Sequence, residues 1–328
     1  MSSAPHILVT GGAGFIGSHA SKALARRGFV PVAYDNLSRG HRDLVKFGPL
    51  EEGEIADQAR VRAVLEKYRP VAVMHFAAFA YIGESVEKPA LYHRNNVEAS
   101  TAFFKALLGY KPLPLVFSST CATYGIPDKL PITEDFPQRP INPYGETKLI
   151  VEGMLAEMGR THKLPWVALR YFNAAGSDPE GEVGEMHDPE THIIPLALMA
   201  ARSGAALKIL GQDYETPDGT CIRDFIHVTD IADAHVRALD YLMKGGASVA
   251  LNLANTRGYS VKEVIAECER VSGRSIACEV APRRPGDPAM LVGLAKRANA
   301  VLGWTPQRSA LEIQIADAWR WLCSRDKR

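Results

Sequence analysis

Nothing in this 328-residue chain approaches eighteen consecutive apolar residues, so no membrane-spanning helix is expected. Charge of one sign is also missing. Lys and Arg number 38 against 37 Asp and Glu, and no long basic run stands out, so neither nucleic acid nor a membrane surface is expected as partner. The opening Met1-Ser-Ser-Ala-Pro-His6 lacks the basic start of a secretory signal, and none is expected. Cysteine is sparse and odd in number: Cys121, Cys221, Cys268, Cys278 and Cys323, with no Cys-x-x-Cys. That argues against a disulfide framework or a structural zinc site and for a reducing, cytoplasmic location. The ten histidines show no paired metal-ligand spacing, and no metal is expected. Internal repeats and low-complexity segments are absent as well. What remains is an ordinary folded composition, 46% hydrophobic and 23% charged, over a length suited to about two domains.

Glycine, by contrast, is concentrated where it carries information. Gly11-Gly-Ala-Gly-Phe-Ile-Gly17 follows the apolar run His6-Ile-Leu-Val-Thr10 and opens a stretch with helical spacing of apolar residues. Strand, glycine turn and helix together form a dinucleotide-binding fingerprint. Gly11 permits the sharp turn, Gly14 lets backbone approach a pyrophosphate, and Gly17 lets helix and strand pack closely. Phe15, Ile16 and Gly17 open the helix whose N–H groups and dipole would hold the phosphates. Asp35 ends a second apolar run, eighteen residues past Gly17. A carboxylate there accepts hydrogen bonds from a ribose diol and repels a 2′-phosphate, which favours NAD over NADP.

The first half alternates strand and helix signals. Further strands are predicted at 50–55, 71–76, 115–119 and 166–172, with helices near 57–68, 89–108 and 143–160. Such alternation predicts an α/β fold, a doubly wound parallel sheet of Rossmann type with its ligands at the carboxyl ends of the strands. From about Asn173 the texture changes to long Gly-, Pro- and acid-rich loops and shorter elements, which predicts a smaller mixed α/β substrate domain. Residues 1–172 form the predicted dinucleotide domain and 173–328 the substrate domain. The boundary is soft, because late elements can return to the main sheet.

Asn142-Pro-Tyr-Gly-Glu-Thr-Lys148 is the second strong signal. Asn142 suits an N-cap and Pro143 the first helical position, and Tyr144 and Lys148 then share one helix face. A free phenol, with a pKa near 10, is too weakly acidic to serve as a base at neutral pH. A nearby ammonium, the helix N-terminus and a positive nicotinamide ring would each favour the phenolate. Ser118-Ser119-Thr120 ends the adjacent strand, and the Thr120 hydroxyl is placed to bond the reacting oxygen and pass a proton to Tyr144.

These residues together resemble the extended short-chain dehydrogenase/reductase family, and within it the nucleotide-sugar 4-epimerases. The resemblance spans nearly the whole chain. It rests on Gly11–Gly17, Asp35-Asn36, His75-Phe-Ala77, Gly83-Glu-Ser85, Asn95-Asn-Val97, the 117–125 segment, Pro143-Tyr-Gly145 with Lys148, Arg170-Tyr-Phe-Asn173, the 219–228 segment and the 281–287 segment. It implies NAD contacts from Asp35, Asn36, Glu54, Ile55, Phe76, Ala77, Asn95, Ser118, Tyr144, Lys148 and Tyr171. It implies a UDP-sugar surrounded by Thr120, Asn173, His192, Arg223, Arg284, Asp287 and Leu291. Arginine suits that role, since its fork of donors matches a diphosphate.

The implied reaction interconverts UDP-glucose and UDP-galactose through a transient 4-keto sugar, with NAD retained. UDP-N-acetylglucosamine and UDP-xylose/UDP-arabinose are alternative substrates, and a net NAD-dependent sugar-nucleotide oxidoreductase or a non-catalytic sensing module are alternative roles. Related dehydratases carry a carboxylate just after the active hydroxyl; here Thr120 is followed by Cys121-Ala122. Ala80 replaces a lysine common near the cofactor, Glu54 an aspartate and His192 an asparagine. Leu291 falls at the position that gates bulk at the sugar's 2-position. The resemblance also implies a homodimer formed by the helices at 89–108 and 143–160.

Overall fold

A computed structural model describes residues 4–283 and 287–325. Seven parallel strands form the main sheet: β1 (His6–Thr10), β2 (Val30–Asp35), β3 (Leu50–Glu52), β4 (Ala72–His75), β5 (Leu115–Thr120), β6 (Trp166–Tyr171) and, later in the chain, β10 (Val249–Leu253). Their order is β10-β6-β5-β4-β1-β2-β3. The sequence outwards from β1 reverses direction between β1 and β4, and at that switch point the strand ends splay open for a ligand. Strand interiors are mostly apolar because both faces are covered by helices. One layer packs Ile7, Val9, Met74, Val116 and Leu169 against the helices Phe15–Arg26 and Val228–Met243. The other packs Leu8, Val73, Leu115 and Phe117 against the helices Gln58–Tyr68, Ala99–Tyr110 and Pro143–His162.

Two smaller sheets stand beyond the carboxyl ends. In one, β9 (Ile222–His227) pairs with β7 (Asn173–Ala175), β11 (Gly258–Ser260) and β13 (Met290–Leu291); in the other, β8 (Leu207–Leu210) pairs with β12 (Cys278–Ala281). A separate core, with Leu198, Phe225, Val264 and Ile315 at its centre, binds these sheets to the helices Ile193–Ser203, Val261–Ser272 and Leu311–Ser324. The late elements do return: β10 pairs with β6 in parallel register, Leu251 opposite Leu169. The helix continuous from 89 to 108 in the sequence reading is interrupted. Pro89–Tyr92 leads into a π-helical turn, His93–Glu98, before Ala99–Tyr110 resumes. Such turns add a residue and re-aim side chains, often at functional sites. Asn95 and Asn96 lie in this one. Asn96 bonds both the N–H and the carbonyl of Phe79 and reaches Thr147 Oγ1, tying the 76–81 loop to the helix Pro143–His162.

No helix among the described residues is long and apolar enough to cross a membrane.

Candidate active site

The glycine turn is shaped by what it cannot hold. Gly11 sits at φ +71°, and a Cβ there would lie 2.6 Å from the Ala77 nitrogen. A Cβ on Gly17 would lie 2.1 Å from the Gly11 carbonyl oxygen, so helix and turn meet at backbone contact. Gly14 caps the helix Phe15–Arg26 with no side-chain hydrogen bond and no acidic residue in the first turn. The first-turn N–H groups therefore face the cleft as an anion cradle. This is the local shape a pyrophosphate requires.

All sixteen residues assigned to the cofactor from sequence line one cleft, from Gly11 and Asp35 at one end to Tyr144, Lys148 and Tyr171 at the other. Asp35 is buried; its Oδ2 accepts the Ala13 N–H at 3.0 Å and its Oδ1 the Leu37 N–H at 2.9 Å. A carboxylate has about four acceptor sites, so two remain for a diol. Asn36 bonds Glu54 through Nδ2 at 3.0 Å, which fixes the neighbouring rim. The sequence reading missed Arg39, Tyr81 and Glu84 on the same wall. Arg39 donates to both Glu84 oxygens, at 2.9 and 2.8 Å, and lies over the rings of Phe79 and Tyr81. Neutralised this way, it offers no free charge to a 2′-phosphate.

At the other end the helix Pro143–His162 starts as predicted. Asn142 Oδ1 accepts the Gly145 N–H at 2.8 Å, and Pro143 occupies the first turn. Tyr144, Lys148 and Glu152 follow at intervals of four along one face. Lys148 Nζ donates to the Ser118 carbonyl at 2.9 Å and lies 5.9 Å from the Tyr144 ring centroid. Burial pushes the Tyr144 phenol above its ordinary value, against a smaller downward pull from the Thr120 side chain. Burial likewise lowers Lys148 to about 7, against the pull of Glu152. In the chain by itself the low-dielectric site disfavours both charges, so of the three expected influences the positive nicotinamide ring is the one left to tip the balance toward the phenolate.

Thr120 also caps the short turn Cys121–Tyr124, accepting the Ala122 N–H at 3.1 Å. Ser118 Oγ meets the Tyr171 hydroxyl. Ser119 Oγ meets Glu152, which forms a buried ion pair with Arg170 at 2.9 Å from Nε. Arg170 continues to Tyr124 OH, and Tyr124 OH to Asn252 Oδ1, so this network anchors the helix Pro143–His162 to β5, β6 and β10. Its signal in the sequence was a lone arginine in an apolar strand, Trp166-Val-Ala-Leu-Arg-Tyr171.

The substrate side is less gathered. His192 lines the cleft. Asn173 donates Nδ2 to the Asp224 carbonyl at 3.0 Å. Arg223 is paired with Asp287 and also donates to the Ile222 carbonyl at 2.8 Å. Leu291 pairs across from Arg223 in β13 and packs on the main core. Thr120, Asn173, Arg223, Asp287 and Leu291 do not line the cofactor cleft. Arg284 lies outside the described residues. His187, which the sequence reading did not single out, and His192 are brought together with ring centroids 5.1 Å apart and both Nδ1 atoms on Glu185.

Residues 7–254 match the family described as NAD dependent epimerase/dehydratase. The chain is 52% identical over 318 residues, 96% of each chain, to the UDP-glucose 4-epimerase of Rhizobium leguminosarum bv. trifolii. It superimposes with a TM-score of 0.93 and 52% identity on the UDP-glucose 4-epimerase from Brucella ovis solved in complex with NAD, covering 97% of this chain and 98% of that one. The enzyme from Bifidobacterium longum, solved with NAD+ and UDP, matches at 33% identity and TM-score 0.93, covering 98% and 99%. With a glycine turn, a buried carboxylate at a strand end and a Tyr-Lys helix along one cleft, the chain belongs to the NAD dependent epimerase/dehydratase family, among the extended short-chain dehydrogenases/reductases.

Proposed function

We propose that this chain interconverts UDP-glucose and UDP-galactose by inverting C4, keeping its NAD between turnovers. The observation that carries the reading is Tyr144 at the end of the dinucleotide cleft with Lys148 beside it, its Nζ 5.9 Å from the phenol ring centroid, and no carboxylate in Cys121-Ala122. Gly11 to Gly17 would hold the pyrophosphate, Asp35 the ribose, and Ser118, Tyr144, Lys148 and Tyr171 the nicotinamide end. NAD in that cleft supplies a hydride acceptor for the sugar carbon and a positive charge that favours the phenolate.

The chain's own part is proton handling. Tyr144 takes the proton of the sugar 4-hydroxyl and returns it to the epimeric oxygen. Thr120 bonds that oxygen and the phenol and shortens the path between them. Lys148 stabilises the charge on Tyr144 and is itself oriented by the Ser118 carbonyl. Asn173, His192, Arg223, Arg284, Asp287 and Leu291 are proposed for the UDP-sugar. Residues 1–172, joined by the returning β10, would form the cofactor half and the remainder the sugar half. The homodimer and a cytoplasmic location belong to the same proposal. No disulfide joins the five cysteines, which supports a reducing compartment.

The test is direct: purified protein is incubated with UDP-glucose and no added coenzyme. UDP-galactose should accumulate to equilibrium with no net NADH absorbance. Stoichiometric NADH without an epimer would reject the reading, and parallel tubes of UDP-N-acetylglucosamine and UDP-xylose define the sugar.

A further inference from the structure

The loop between β7 and the helix Ile193–Ser203 carries Glu185, His187, Glu190 and His192, and folds so that one ligand atom of each lies within 4.8 Å of all the others. His187 Nδ1 is 2.9 Å from Glu185 Oε1 and 3.8 Å from Glu190 Oε1. His192 Nδ1 is 4.0 Å from Glu190 Oε1 and in contact with Glu185 Oε1. Four ligands about 2.0–2.2 Å from a tetrahedral zinc ion stand roughly 3.4 Å apart, which is the middle of this range. The two carboxylate side chains are 7% and 8% exposed, and the imidazoles of His187 and His192 are the groups that face their charges.

We propose that Glu185, His187, Glu190 and His192 form a binding site for one divalent transition-metal cation of the zinc class. Two imidazole nitrogens with two carboxylate oxygens suit such a cation better than calcium or magnesium, which take oxygen almost exclusively. Two neutral imidazoles, two carboxylates and one divalent cation sum to zero charge. The ligands are held from behind: Glu190 Oε1 accepts the Thr191 and His192 N–H groups at 2.7 and 2.8 Å, and the Glu185 carbonyl accepts Trp321 Nε1 at 2.9 Å. The Met186 carbonyl meets His41 Nε2 at 2.5 Å, and the His41 N–H returns to the Ala13 carbonyl at 2.9 Å.

The His187 ring stands edge-on to Phe15 at 6.1 Å and to Tyr81 at 5.6 Å. A cation here would therefore fasten the loop against the glycine cradle and the cleft wall. The second cluster of this kind among the described residues, Asp178, Glu180 and Glu182, already holds the Lys22 ammonium at 2.7 Å from Asp178 and 2.8 Å from Glu180, and carries no such site. This inference does not depend on which sugar is epimerised; it gives His192 Nδ1 to the cation and leaves Nε2 as the atom for the UDP-sugar.

The full-length chain with its NAD, stripped by a chelator, is titrated with Zn2+ against a chromophoric competitor. One equivalent should bind, and His187→Ala and His192→Ala should each weaken binding at least about tenfold. Cobalt(II) added to the unaltered chain should give the intense visible bands of a four-coordinate ion, a reading that needs no variant to fold. Zero equivalents of zinc, affinity unchanged in both variants, or only the pale spectrum of six-coordinate cobalt would each overturn the site. Two protonated histidines closing the cluster without a metal would then be the correct description.

Discussion

The two ends of the cleft are built on different principles. At the dinucleotide end the lining is framed by regular structure: strand ends, a glycine turn and two helix starts. At the sugar end the proposed side chains come from loops, from the short strands β7 and β13 and from β5 and β9, and several are already occupied by one another. Arg223 pairs with Asp287, and Asn173 with the Asp224 carbonyl. A rigid grip on one partner and a set of exchangeable contacts for the other is what an enzyme needs if it keeps its cofactor while its sugar must turn over.

The largest expected effect breaks the dinucleotide end. Tyr144→Phe removes the proton carrier and should lower kcat by about 10²–10⁴-fold while leaving nucleotide binding intact, checked by steady-state rates and calorimetry. Glu152→Ala strands the Arg170 guanidinium in the core and should destabilise the fold by about 3–5 kcal/mol in urea unfolding. The neutral-leaning lysine gives a pH signature. With Lys148 near 7 in the folded, cofactor-stripped chain and about 10.4 when unfolded, the unfolded state binds more protons between those values. Its contribution to stability should therefore rise with pH across that window, and Lys148→Met should flatten the slope in a series of thermal melts. The smallest effect sharpens the sugar end: Leu291→Tyr should lower turnover of UDP-N-acetylglucosamine relative to UDP-glucose by a few fold. An unchanged ratio would remove Leu291 as a gate, which its place on the core in β13 makes a demanding test.

The same contrast explains what could be read from the chain itself. The Gly11–Gly17 turn, Asp35 and the Tyr144–Lys148 pair were legible because their geometry follows from local rules: backbone clearance, strand ends and four-residue helical spacing. Arg39 and Glu84 were not, because their pairing joins segments 45 residues apart. The Glu152–Arg170–Tyr124–Asn252 network is likewise tertiary, visible beforehand only as one charged residue in an apolar strand. His187 and His192 have four residues between them, a spacing the sequence reading passed over, and the folding of the 176–192 loop is what lets them share Glu185. The shift of Tyr144 away from ionisation was missed for a related reason. Sequence shows which charges are near, whereas the depth of burial that opposes them is a property of the whole fold.

The central claim is that Tyr144 moves only the oxygen-bound proton while the C4 hydrogen never leaves the enzyme. UDP-glucose deuterated at C4 tests this in one tube, in ordinary water and without added coenzyme. The account predicts UDP-galactose that keeps its deuterium at C4. Washout of that label into solvent would contradict it, since the carbon-bound hydrogen would then have been exchanged as a proton.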